Sequence, residues 1–164
     1  MVRAKWGNLN CLWEYAIISK DAPAPSQFEG QILVPYPIES VLSGVNKTVL
    51  PDQSLWYKKR ISKPALKKGE RILLHFGAID WMATIYINGK ESGQHTGGYE
   101  NFSFDITDAL RTGNNELSIR VYDPTDQGPH ATATTLYLEK YGRNMPDQER
   151  NMFRVALERA QKSK

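Results

Sequence analysis

Residues 69–126 read GERILLHFGAIDWMATIYINGK (69–90), ESGQHTGGYENFSFDITDAL (91–110) and RTGNNELSIRVYDPTD (111–126). Short apolar-alternating runs are separated here by turn residues. Ile72, Leu74 and Phe76 alternate with Arg71, Leu73 and His75. Ala83, Ile85 and Ile87 alternate with Thr84 and Tyr86, Phe102, Phe104 and Ile106 with Asn101, Ser103 and Asp105, and Leu117, Ile119 and Val121 with Ser118 and Arg120. A period of two places one set of side chains in a core and the other in water or against a second layer. Several such runs at close spacing predict antiparallel strands in a sandwich or barrel. Asn88-Gly89 is the sharpest local signal, because a type I′ hairpin needs positive φ at both central positions.

Working outward, residues 6–19 contain the apolar patch LNCLWEYAII, which predicts a first strand. Residues 20–30 form a loop, since Pro23 and Pro25 remove backbone donors. Residues 31–34 predict a short strand, residues 38–51 turns with one helical turn, and residues 55–62 another strand. Thr107 to Leu110 predicts a short helical turn, and Gly113-Asn114-Asn115 a tight turn into the strand over 116–122. TATTLYLEKY (132–141) predicts a further strand. After Gly142 the period changes, with Met152, Phe153, Ala156, Leu157 and Ala160 recurring at three- and four-residue steps. Pro146 suits the first helical position, and Asp147 and Glu149 suit the positive end of the helix dipole. The expected organisation is a β-sandwich over 1–142 and an amphipathic C-terminal helix over 143–164.

Composition excludes several classes of function. A net charge of +3, with basic residues scattered along the chain, gives no nucleic-acid footprint. No apolar run approaches the roughly 18 residues of a membrane span, and the N-terminus has no signal-peptide pattern. The expected compartment is therefore cytoplasmic as written, or periplasmic or secreted if a signal was removed. Cys11 is the single cysteine, which rules out an internal disulfide. Its apolar neighbours point to inert packing.

With these segments in view, the chain resembles a known family. LNCLWEYAI, QILVPYPIESVLSGV, LWYKKRI, the long 69–110 run and NNELSIRVYDPTD are similar to the N-terminal sugar-binding domain of family 2 glycoside hydrolases. That family includes β-galactosidases, β-glucuronidases and β-mannosidases. The ordered set G-A-x-D-W, I-N-G-K, G-G-Y, F-D-I-T and D-P-T-D carries the resemblance. It implies an all-β jelly-roll sandwich of the galactose-binding type at the front of a longer enzyme. The catalytic glutamates of such an enzyme lie in a (β/α)₈ barrel. A barrel needs about 200 residues or more, so the expectation is a chain without one. Only GPHA separates Asp126-Gln127 from the 132–141 strand, a shorter loop than in many relatives.

Glycoside hydrolysis needs two carboxyl groups across the scissile bond, one of them perturbed. Asp80, Asp105, Asp108, Asp123 and Asp126 show no spacing that marks such a pair, and Asp105 and Asp108 read as turn and cap residues. No catalytic residue is expected in this chain. The resemblance implies a sugar contact for Asp126, which matches an aspartate of the β-galactosidase branch. The same residue also suits a cap of the Asp-Pro-Thr-Asp turn. Trp81, at a strand end, is the second sugar-binding candidate through its indole; edge packing is the alternative reading. Trp13 and Trp56 fall inside strands and are expected in the core. His75, His95 and His130 lack a second ligand at metal spacing, so neither metal nor cofactor is expected.

The function expected from all this is a non-catalytic carbohydrate-binding or accessory domain of a family 2 glycoside hydrolase. Its implied partners are a carbohydrate and the catalytic barrel of a parent enzyme or another chain. No nucleic acid or membrane is expected, and the C-terminal helix is a candidate homo-oligomer contact. The alternative is a structural or oligomerisation module that binds no sugar.

Overall fold

The computed structural model describes residues 6–124, and they form an all-β unit. Its strands are β1 (Leu12–Ser19), β2 (Gly30–Leu33), β3 (Gln53–Ser62), β4 (Leu73–Phe76), β5 (Met82–Ile87), β6 (Lys90–Thr96), β7 (Phe102–Asp105) and β8 (Asn114–Tyr122). The helical turn expected within 38–51 is a single 3-10 turn, Val41–Ser43, opened by the Ser40 side chain and closed by Gly44 at φ 80°. No helix among the described residues is long and apolar enough to cross a membrane.

The strands form two antiparallel sheets. One has six strands in the order β2-β1-β3-β8-β5-β6, and the other pairs β4 with β7. The alternation seen in the sequence sets their facing sides. Trp13, Tyr15, Ile32, Leu55, Ala83, Ile85, Ile87, Leu117 and Ile119 of the large sheet share one buried cluster with Leu74 of the small one. Phe76, Phe102 and Phe104 of the small sheet pack against it. The sheets therefore face each other across a common core. Each large aliphatic side chain so buried contributes about 1.5–3 kcal/mol relative to exposure.

Two expectations change. The first strand begins at Leu12 rather than at Leu9. Local hydrogen bonds occupy the approach instead: the Asn10 amide donates to Asn8 Oδ1 at 2.8 Å, and the Trp13 indole donates to the Leu9 carbonyl at 2.9 Å. Cys11 packs at the edge of the core, as its neighbours suggested. The second change concerns the large sheet, whose other face is also covered. Trp56 pairs with Ala16 and Arg120, on the side away from Leu55. It is nevertheless 4% exposed, and Ala16, Ser54, Thr84 and Ser118 are buried on that side with it. Trp56 stacks on Tyr86 with ring centroids 5.3 Å apart. Trp13 lies in the shared core as expected, whereas Trp56 is buried on the opposite face. The strand expected over 132–141 and the helix expected over 143–164 lie outside the described residues.

The hairpin forms as its sequence requires, with Asn88 at φ 53° and Gly89 at φ 78°. Asn88 does more than turn the chain. Its Nδ2 donates to Asn115 Oδ1 at 2.8 Å, and its Oδ1 accepts from the Glu116 amide at 3.1 Å. Asn115 is itself pinned, accepting from the Arg111 amide at 2.7 Å and donating to the Arg111 and Gly113 carbonyls. The β5–β6 turn is thereby clamped to the start of β8.

Candidate functional site

The connections β4–β5 and β6–β7 emerge at the same end of the two sheets, because β4 and β7 pair from Phe76 with Phe102 and β5 and β6 from Met82 with Thr96. Trp81 is the last residue before β5, and its carbonyl accepts a hydrogen bond from the Gly97 amide at 2.9 Å. It is half-buried. The Asp80–Trp81 peptide is cis. The exposed Asp80 carboxylate lies against Gly98, where an added Cβ would stand 2.5 Å from Oδ1. Gly97, at φ 132°, occupies backbone space that side-chain-bearing residues rarely adopt. The Gly-Gly break therefore has two separate physical reasons, a backbone angle at Gly97 and a close approach at Gly98.

Aromatic rings brace the base of this loop. His95 stacks on Phe102 at 3.9 Å between centroids, and Phe102 stacks on Phe76 at 4.8 Å. Beyond that base the loop presents Tyr99, which is 76% exposed. In the sequence G-G-Y is one of the ordered motifs that carry the family resemblance, with no site role given to Tyr99; the signal passed over was a bulky aromatic directly after two glycines. On the neighbouring strand Tyr122 pairs with Met82, and the Lys20 ammonium lies 5.7 Å from the Tyr122 ring centroid. Asp126, four residues beyond Tyr122, lies outside the described residues, as does His130.

The remaining candidates divide by what they touch. Asp105 and Asp108 both bind Arg71, at 2.7 Å through Nε and 2.9 Å through the terminal nitrogen. Asp105 also caps the turn that follows, accepting from the Thr107 amide at 3.0 Å and hydroxyl at 2.6 Å. The Arg71 guanidinium, then the Thr107 hydroxyl and amide, lower its pKa from 3.8 to about 2. Glu29 is also pushed down, chiefly by Lys47 at 2.7 Å and by the Ile17 amide. A general acid of glycoside hydrolysis needs the opposite perturbation. His75 is exposed, stacked on Trp6 at 5.4 Å and hydrogen-bonded to Ser103. Among the described residues, no group of three or more His, Cys, Asp or Glu side chains is placed to hold a metal ion.

The family model described as the glycosyl hydrolase 2 galactose-binding domain-like family matches residues 22–159. The chain belongs to this family. A putative β-glucuronidase of Formosa agariphila is 36% identical over 72 residues, covering 42% of this chain and 9% of that protein. A β-galactosidase of Thermoanaerobacter pseudethanolicus is 39% identical over 66 residues, covering 40% of this chain and 9% of that protein. Among solved structures, the Bifidobacterium dentium β-glucuronidase complexed with coumarin-3-O-glucuronide superposes with a TM-score of 0.55 at 28% identity. That likeness covers 70% of this chain and 19% of the solved one. The chain thus spans about a tenth of the length of the two curated relatives and about a fifth of the solved one. Within the family 2 domain, the F-D-I-T and I-N-G-K motifs are accounted for by the Asp105–Arg71 cap and the Asn88 clamp.

Proposed function

We propose that this chain is a non-catalytic, carbohydrate-associated domain of jelly-roll type that serves a family 2 glycoside hydrolase. In that role it buttresses a catalytic barrel, on a parent enzyme or another chain, and supports hydrolysis of O-glycosidic bonds. Trp81 and Asp126 contribute contacts to the sugar, the indole by its apolar face and the carboxylate by charge-assisted hydrogen bonds to hydroxyls. The observation that carries this reading is the family match over residues 22–159 on a two-sheet core with Trp81 at one end. The ionised Asp105, paired with Arg71 and shifted down, supports a non-catalytic role.

The test is titration of the intact chain with β-galactosides, β-glucuronides and β-mannosides at millimolar concentration, followed by NMR. Resonances of the Trp81 indole and of residues around Asp126 are expected to shift with at least one glycoside. No shift with any of them overturns sugar binding in favour of a purely structural module.

A further inference from the structure

We infer that Tyr99 is a carbohydrate-stacking residue on the β6–β7 loop, whose Gly97 amide is bonded to the Trp81 carbonyl. The inference rests on the carbohydrate reading above. It comes from how the loop is built rather than from exposure alone, since single exposed apolar residues are common on protein surfaces.

Three contacts hold the loop base. The Gly97 amide is bonded to the Trp81 carbonyl at 2.9 Å. Gly98 sits against the Asp80 carboxylate so closely that a methyl group would stand 2.5 Å from Oδ1. Phe102, at the far side, is clasped between Phe76 and His95. A side chain one residue beyond Gly98 is thus carried on a fixed backbone, yet Tyr99 remains 76% exposed instead of folding back onto the rings below. A tyrosine held this way is preorganised for a ligand. Only two side-chain torsions remain to be ordered, so little entropy is lost on contact.

The surroundings select the ligand class. Glu100 and Asn101, which follow Tyr99 in the chain, are exposed and polar. A pyranose presents an apolar C–H face for the ring and hydroxyls for carboxylate and amide acceptors. A protein partner would call for a broader apolar patch around the ring.

The experiment is calorimetric titration of the intact chain, its Tyr99→Ala and Tyr99→Trp variants and, as a control on a separate exposed loop, Leu42→Ala. The probes are the methyl β-glycosides of galactose, glucuronic acid and mannose. Tyr99→Ala is expected to bind about threefold to tenfold more weakly, Tyr99→Trp and Leu42→Ala to bind like the parent, and all to keep the parent's thermal midpoint. If the parent binds a glycoside and Tyr99→Ala binds it equally well, this inference falls while the carbohydrate reading stands. Loss of binding in Tyr99→Trp as well as Tyr99→Ala also overturns it, because stacking would then not be the contact. If the parent binds none of the probes, both the inference and the reading beneath it fall.

Discussion

Asp105 holds three donors at once: the Arg71 guanidinium, the Thr107 amide and the Thr107 hydroxyl. Thr107 Oγ1 in turn accepts from the Ile72 amide at 2.7 Å, so one carboxylate ties the end of β7 to the entry of β4. The ionised form is the one that accepts all three, which is why its pKa falls from 3.8 to about 2. A carboxyl with a lower pKa in the folded than in the unfolded state stabilises the fold above the unfolded value. That contribution is lost as pH falls through the folded value. Asp105→Asn is therefore expected to be less stable than the parent at neutral pH. The gap should close between the ordinary value of 3.8 and about 2. Urea denaturation across that range is the check, and a gap that persists unchanged at pH 2 counts against the assignment. The same lowered pKa excludes Asp105 as a proton donor near neutral pH, so the F-D-I-T motif is a structural device.

At the scale of elements, β6 of the large sheet meets β7 of the small one at Gly93 and Phe104. Gly93 faces the Phe104 ring, and an added Cβ would fall 2.3 Å from Cε1. The ring occupies the space that a side chain on β6 would fill. Gly93→Ala brings a small entropic gain, but the ring must move, and overpacking of this kind costs about 1–3 kcal/mol. The variant is expected to lower the urea midpoint, and Gly93→Ala combined with Phe104→Leu to recover part of the loss. An unchanged midpoint for the single variant would show that the ring relocates freely. The Asn88 clamp works at this scale too, because it joins the β5–β6 turn to β8 through Asn115, which is itself 3% exposed.

At the scale of the whole molecule, the open proposal is association through the C-terminal segment. Met152, Phe153, Ala156, Leu157 and Ala160 recur at helical spacing in the sequence, and on a helix they would make an apolar stripe that needs a covering surface. If it mediates self-association, cutting the chain after Gly142 will lower the number of chains per particle, read as the light-scattering mass divided by the chain mass. A single chain per particle both before and after the cut would remove the oligomerisation proposal and leave the sandwich reading intact.

The all-β class, the Asn88-Gly89 hairpin, the inward row Ala83, Ile85, Ile87 and the family itself were legible in the sequence. Each rests on local information: a period of two, a positive-φ dipeptide, or an ordered set of motifs. Other features rest on residues far apart in the chain and needed the tertiary structure. Trp56 is expected in the core because it lies inside a strand, and it is buried, but the register with Ala16 and Arg120 puts it on the opposite face of the large sheet. Gly98 reads as a plain break, but its reason is the Asp80 carboxylate 18 positions earlier in the sequence. Tyr99 carried no periodic signal at all. It became a candidate only when Trp81, Asp80 and the stacked rings of Phe76, His95 and Phe102 were seen to hold its loop from below. Periodicity in a sequence encodes which side of a strand meets the core. Which loops share an end of the sandwich is decided by strand pairing between distant segments.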